Sequence, residues 1–216
     1  NSLQRQKNPN WLAIVLFDGL TSNEMYVSNT TNIPTFLPSY DLMYTDGRIC
    51  YQHLPQVGFA NCAGDIRNLG VSLASTKWIG FVDDDDSLHP KYVQTVLEED
   101  KLKKDLMVII FRMFNGDTVF PKPEVDNFFL NDVGISFALK RELFSKHGHR
   151  FVPSNGEDFQ LLHTIRGKHH SMLLHSAIMY YVKNQFPSSE IQRSSRSRHH
   201  IKTNMTEMAN SLINNT

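Results

Sequence analysis

Apolar positions in this chain fall into short unbroken runs separated by stretches with helical spacing. Trp11 to Phe17 (WLAIVLF) stops at Asp18-Gly19, and Leu106 to Met113 (LMVIIFRM) is a second such run. Runs of this length without alternation predict strands covered on both faces. Trp78 to Val82 (WIGFV), Val133 to Leu139 (VGISFAL) and Ser171 to Val182, around Tyr180 and Tyr181, predict three more, with shorter strand pieces at Tyr40 to Tyr44 and Ile49 to His53. Between them, Asp65 to Ser75 carries Ile66, Leu69, Val71, Leu73 and Ala74, and Tyr92, Val93, Val96 and Leu97 follow Pro90 at helical spacing. Arg141 to His147 predicts a short helix. Gly156 to Ile165 predicts an amphipathic one, with Glu157 and Asp158 in its first turn. Leu20 to about Gly58 has no clear period and reads mainly as loop.

Strands alternating with helices predict an α/β domain with a mostly parallel central sheet flanked by helices. The pattern places this domain at residues 1–187. Residues 188–216 form a tail, first rich in Ser and Arg (Arg193, Arg196, Arg198), then a short helix at Met205 to Leu212.

Charge narrows the choice of partner. Lys plus Arg and Asp plus Glu each number 22, for a formal net charge of zero. No global field favours a nucleic acid or a membrane surface, so an anionic ligand must be held by local groups. No stretch approaches the roughly 20 apolar residues of a membrane span, and no secretory signal opens the chain. These features read as a cytoplasmic protein or a soluble domain of a longer one. Cys50 and Cys62 make neither a disulfide framework nor a zinc motif; one bridge between them stays open, and a reducing compartment fits as well.

The candidate chemistry lies at strand ends. In open α/β sheets ligands bind beyond the carboxyl ends of the strands, where Asp18 and the run Asp83-Asp84-Asp85-Asp86 sit. Four consecutive carboxylates read either as a solvated loop or as a cation site. The preceding strand and the following helix start fix both ends of the run. Mg²⁺ or Mn²⁺ would relieve its repulsion, taking one or two carboxylates and completing its shell with water and phosphate oxygens.

The stretch Gly64-Asp65-Ile66-Arg67-Asn68-Leu69-Gly70, then Ala74, then Trp78 to Asp86 followed by Ser87-Leu88-His89-Pro90, resembles the GT-A glycosyltransferases. Their pattern is A-R-N-x-G, a helix, a strand ending D-x-D-D, then leucine and proline. Val133 to Phe137 resembles their strand facing donor sugar and acceptor, and Gly156-Glu157-Asp158-Phe159 their acceptor-side E-D motif. Ser2 to Gln6 and Trp11 to Gly19 resemble the end of the family's first helix and its second strand, which would place its first strand upstream of residue 1. The resemblance runs from about Ser2 to Val182. The chain is also similar to glycosyltransferase domains of large DNA viruses of algae.

The resemblance implies a metal-dependent, inverting transfer of a sugar from a nucleotide-sugar, a UDP-sugar first, to a hydroxyl of a glycan or glycoprotein, with Mn²⁺ or Mg²⁺ as cofactor. Asp18 would accept from the base, Arg67 and Asn68 would lie near the nucleotide, and Asp83 would hold the ribose. Asp84, pointing away, and Ser136 complete the donor-binding set. Asp85, supported by Asp86, would hold the metal. Asp158, beside Glu157, would be the general base, its pKa raised by its neighbour in a partly closed cleft. Each residue also has a structural reading: Asp18 as a turn residue, Arg67 as a salt-bridge partner, Glu157 and Asp158 as helix-start acids. His169 and His170 read as a surface turn, while His199 or His200 could complete a metal shell. A nucleotidyltransferase of related layout and a non-catalytic cation- or sugar-binding module are the competing functions. The first would carry an early Gly-rich triphosphate loop, which is not visible. The second leaves the E-D motif and the Arg67-Asn68 helix start unexplained.

Overall fold

In a computed structural model, the described residues are 2–19, 46–54, 63–130 and 132–184. The elements expected at Tyr40 to Tyr44 and Met205 to Leu212, with Cys62, His199, His200 and the tail arginines, lie outside them. In chain order the elements are β1 (Ala13–Asp18), β2 (Ile49–Leu54), α1 (Gly64–Leu73), β3 (Trp78–Gly80), β4 (Ser87–Leu88), α2 (Tyr92–Leu102), β5 (Leu106–Asn115), β6 (Thr118–Phe120), β7 (Phe137–Lys140), α3 (Glu142–Ser145), α4 (Glu157–Gly167) and β8 (Ser171–Tyr181). β1 and β2 pair in parallel as a two-stranded sheet, and the remaining strands form a six-stranded sheet of order β3-β7-β5-β8-β4 with β6 on β5. The chain divides into two compact units. Unit 1 holds Asn1–Lys7, Gly80–Ala138 and Ser171–Thr216; unit 2 holds Asn8–Ile79 and Leu139–His170.

In unit 1 the core is built on β5. Leu106, Val108, Ile109, Ile110 and Phe111 are each at most 1% exposed, as a strand covered on both faces requires. Each such side chain contributes roughly 1.5–3 kcal/mol by leaving water. β8 runs parallel to β5, whereas β4 is antiparallel to β8 and β6 antiparallel to β5. The sheet therefore combines parallel and antiparallel pairings. Asn115 to Thr118 is a tight connection that returns the chain as a hairpin, and β4 is only two residues long, too short to show as a periodic run. α2 buries Tyr92, Thr95 and Val96, the spacing of one helix face, and begins two residues after Pro90. Arg112 points inward, where its guanidinium donates to the carbonyls of Pro121, Lys122 and Val125, so a buried cation replaces the hydrogen-bonding partners the following segment lacks. Burial pushes its pKa below the usual arginine value.

In unit 2, α1 lies against β1, where Gly70 allows close approach of Leu16. α4 buries Glu157, Leu161, Leu162 and Ile165 and is entered through Gly156 at φ 79°, a left-handed conformation that favours glycine. The strand expected over Val133 to Leu139 is confined to β7, because Gly134 and Ile135 form a bend ahead of it. Ser2 to Arg5, expected to end a helix, form a turn.

Candidate active site

The acidic run in unit 1 is a turn held at both ends. Asp83, Asp84 and Asp85 are exposed and Asp86 half-buried, and the Asp86 amide donates to the Asp83 carbonyl at 3.1 Å. β4 follows at once, with Ser87 opposite Tyr181 and Leu88 opposite Tyr180 on β8. The Tyr180 hydroxyl accepts from the Asp83 amide at 3.2 Å and is hydrogen-bonded to the Asp86 carboxylate. Asp86 Oδ1 also accepts from the Lys183 amide at 2.8 Å, in a short 3-10 turn where Lys183 has φ 53°. Burial raises the pKa of Asp86; the Tyr180 and Lys183 hydrogen bonds oppose that shift, and the charges of Asp83 and Asp85 add to it. Burial also pushes the Tyr180 hydroxyl far above its usual value, so it stays a neutral hydrogen-bonding group. Asp86 is thus anchored to the framework, and Asp83, Asp84 and Asp85 carry the exposed charge.

A second clamp holds the exit of the run. Gln6 is 8% exposed; its amide donates to the carbonyls of His89 at 2.9 Å and Ser2 at 3.1 Å, and its oxygen accepts from the Val93 amide at 3.1 Å. The Lys7 amide donates to the Pro90 carbonyl at 2.8 Å. Gln6 therefore takes up a first-turn amide of α2 that no helical carbonyl can satisfy.

Unit 2 brings Arg67, Glu157 and Asp158 together. Arg67 Nη1 donates to Glu157 Oε1 at 2.5 Å and to Asp158 Oδ1 at 2.9 Å, with side-chain exposures of 13%, 7% and 20% respectively. Glu157 Oε2 is buried without a hydrogen-bond partner and lies 2.7 Å from where a Cβ on Gly64 would sit. Only a glycine at 64 leaves room for that carboxylate. Asn68, one residue along α1, gives its Nδ2 to the Phe151 carbonyl and accepts the Phe151 amide on Oδ1, both at 2.9 Å. This pins the segment leading into α4 to α1.

Of the residues expected beside the nucleotide, Arg67 and Asn68 are thus engaged with the E-D pair and with Phe151. Ser136 is fully buried, its hydroxyl donating to the Phe111 carbonyl at 3.0 Å, so it packs β7's entry onto β5 rather than facing a ligand. Asp18 ends β1 beside Leu54 of β2 and precedes Gly19 at φ 83°. His169 occupies an exposed turn, but His170 is half-buried, with ring centroids 4.6 Å from His147 and 5.4 Å from His149. Sequence reasoning missed Tyr180, Lys183 and Gln6 as holders of the acidic run. The doublet Tyr180-Tyr181 was visible, but its pairing with Ser87-Leu88 is a long-range contact with no local signal.

These geometries can be set beside known proteins. A family model described as Glycosyl transferase family 2 matches residues 27–166. The chain belongs to glycosyl transferase family 2. No curated protein matches it. Among solved structures it is similar to Staphylococcus aureus TarS 1-349, with TM-score 0.61 and 16% identity over 84% of this chain and 54% of that one. The same TarS fragment in complex with UDP-GlcNAc gives TM-score 0.60 and 15% identity over 87% and 54%. The TarS structure not limited to 1-349 gives 0.63 and 16% over 84% and 33%. The chain therefore spans about half the length of the TarS 1-349 chain. The likeness shows the fold, which is GT-A with a mixed sheet and helices. Among its described residues no helix is long and apolar enough to cross a membrane, and Cys50 is an exposed free thiol.

Proposed function

We propose that this family 2 glycosyltransferase is a metal-dependent, inverting enzyme that moves a sugar from a UDP-sugar to a hydroxyl of a glycan or glycoprotein. The observation that carries the reading is the Arg67-Glu157-Asp158 cluster. Asp158 has a fixed position, a guanidinium on one oxygen and partial exposure, as a base that must meet a hydroxyl needs. On this reading Asp158 takes the proton from the acceptor hydroxyl. The acceptor oxygen forms its bond to the anomeric carbon as the bond to the diphosphate breaks, and UDP leaves with that electron pair. Glu157 and Arg67 hold the base in place. Asp18 receives the nucleobase and Asp83 the ribose. That TarS 1-349 has been solved with UDP and with UDP-GlcNAc supports a UDP-sugar as donor.

The residues of the acidic run fit a divalent ion. Asp83, Asp84 and Asp85 are exposed carboxylates on one turn, and burial, with a smaller contribution from the Asp83 and Asp85 charges, raises the pKa of Asp86. Among the described residues no group of three or more metal-binding side chains is gathered. Mn²⁺ or Mg²⁺ would be held by one or two carboxylates of the run, Asp85 the principal one, and otherwise by water and phosphate oxygens. When bound, such an ion supplies charge neutralisation of the diphosphate leaving group.

The test is calorimetric titration of the chain with UDP, with Mn²⁺ present or omitted, on the parent and on Asp85→Ala. Metal-dependent binding lost in the variant is expected. Nucleotide binding indifferent to both metal and substitution would overturn the role of Asp85, and absence of any UDP binding would overturn the donor assignment.

A further inference from the structure

Unit 2 contains a cavity of about 480 Å³ outside the Arg67-Glu157-Asp158 cluster. Its volume lies within the roughly 300–1,000 Å³ of small-molecule sites. It opens between α1, which contributes Asp65 and Ser72, and the segment from Arg141 to Arg150, which contributes both arginines, Phe144 and His149. Arg67, Glu157 and Asp158 do not line it.

The lining is short of negative charge. Arg141 Nε donates to the Thr76 carbonyl at 3.2 Å, and neither Arg141 nor Arg150 is ion-paired among the described residues. Asp65 is the one carboxylate among the residues that line the cavity. His149 Nε2 is buried with no hydrogen-bond partner, which is costly for a polar atom. Burial first, then the positive neighbours His170, His147 and Lys168, hold the His149 imidazole below its usual pKa; burial, His147 and Lys168 hold His170 down as well, against the Glu142 carboxylate. The cavity thus presents two guanidiniums without ion-pair partners beside a buried imidazole nitrogen that lacks a hydrogen-bond partner. Guanidiniums take phosphate and carboxylate oxygens in paired, charge-assisted hydrogen bonds. Phe144 adds an apolar wall, and Ser72 a hydroxyl at the rim.

We propose that this cavity binds the oxyanion, phosphate or carboxylate, of a monosaccharide-sized ligand through Arg141 and Arg150. Asn68, placed near the nucleotide by the resemblance, also lines the cavity, its side chain held by Phe151; the proposal uses neither Asn68 nor the acidic run nor the Arg67-Glu157-Asp158 cluster, so either reading can fail without the other.

The full chain is titrated calorimetrically with glucose 6-phosphate, glucuronate, inorganic phosphate and neutral glucose. Saturable binding of the phosphorylated or the carboxylated sugar is expected, with none for glucose; which anion binds more tightly names the source, and inorganic phosphate alone marks an ester-free anion site. Arg141→Gln and Arg150→Gln should each weaken binding about tenfold, the loss of one charge-assisted hydrogen bond. Ser72→Trp keeps both arginines and fills the cavity at an exposed position, so it should abolish binding while circular dichroism and the melting temperature stay unchanged. UDP binding should be untouched by all three variants. Equal binding of glucose, binding retained in Ser72→Trp, competition by UDP, or no saturable binding of any anion would each overturn the proposal.

Discussion

Replacing Arg67 by methionine tests whether the E-D pair is built on that one guanidinium. Arg67 Nη1 reaches Glu157 Oε1 at 2.5 Å and Asp158 Oδ1 at 2.9 Å, and all three side chains are at most 20% exposed. Methionine keeps much of the length but none of the charge. It leaves Glu157, already without a partner on Oε2, as a buried carboxylate with no counter-charge. Removing one partner of a buried pair costs about 3–5 kcal/mol, far more than the ~0–1 kcal/mol of an exposed pair. For a chain of this size that lowers the melting temperature on the order of 10 °C. Urea denaturation followed by circular dichroism should show the loss in the midpoint with little change in slope. Adding Glu157→Gln to Arg67→Met should recover part of it, because the second change removes the stranded charge; the coupling should be on the order of 1–3 kcal/mol. A single variant within about 1 kcal/mol of the parent, or a double variant weaker than the sum of its parts, would refute the reasoning.

Tyr180→Phe removes the hydroxyl that joins the Asp83 amide to the Asp86 carboxylate. It should cost about 1.5 kcal/mol and weaken Mn²⁺-dependent UDP binding several-fold, read by the same denaturation and by calorimetry. Gly64→Ala places a Cβ 2.7 Å from Glu157 Oε2 and 3.3 Å from Phe151 Cβ, both within a buried cluster. A loss of about 1–3 kcal/mol is expected, and an unchanged urea midpoint would show that the carboxylate is free to move. His149 and His170 are held below the ordinary imidazole value of 6.5, so the unfolded chain takes up protons first on acidification. Their contribution to stability is complete above that value and is lost as pH falls below it toward their folded pKa. His149→Asn and His170→Asn should flatten the dependence of the urea midpoint between about pH 7.5 and 5.5, and an unflattened profile would rule out these two groups as its source.

The strands were legible where hydrophobicity alone dictates them. Leu106 to Phe111 has no polar break and can be stable only when covered on both faces, and β5 covers those residues. Helix starts were legible from local chemistry too: Gly156 followed by Glu157 and Asp158 opens α4, and Pro90 precedes α2. Family membership followed from the spacing of Arg67-Asn68, the acidic run and the E-D pair, which is a property of the sequence. Strand direction was not legible. β4 and β6 are two and three residues long, their partners lie far off or across a hairpin, and their antiparallel pairing has no local signal. Side-chain partners were equally hidden. Arg67 is 90 residues from Glu157, Tyr180 is 97 from Asp83, and Gln6 is 83 from His89. The sequence by itself determined which residues are apolar enough to be buried and which acids stand at strand ends, because those follow from local composition and period. Only the tertiary structure decided that Arg67 holds the E-D pair, that Asp86 is anchored by Tyr180 and Lys183, and that Ser136 lies inside, because hydrogen bonds are short-ranged and the chain must fold before their partners meet.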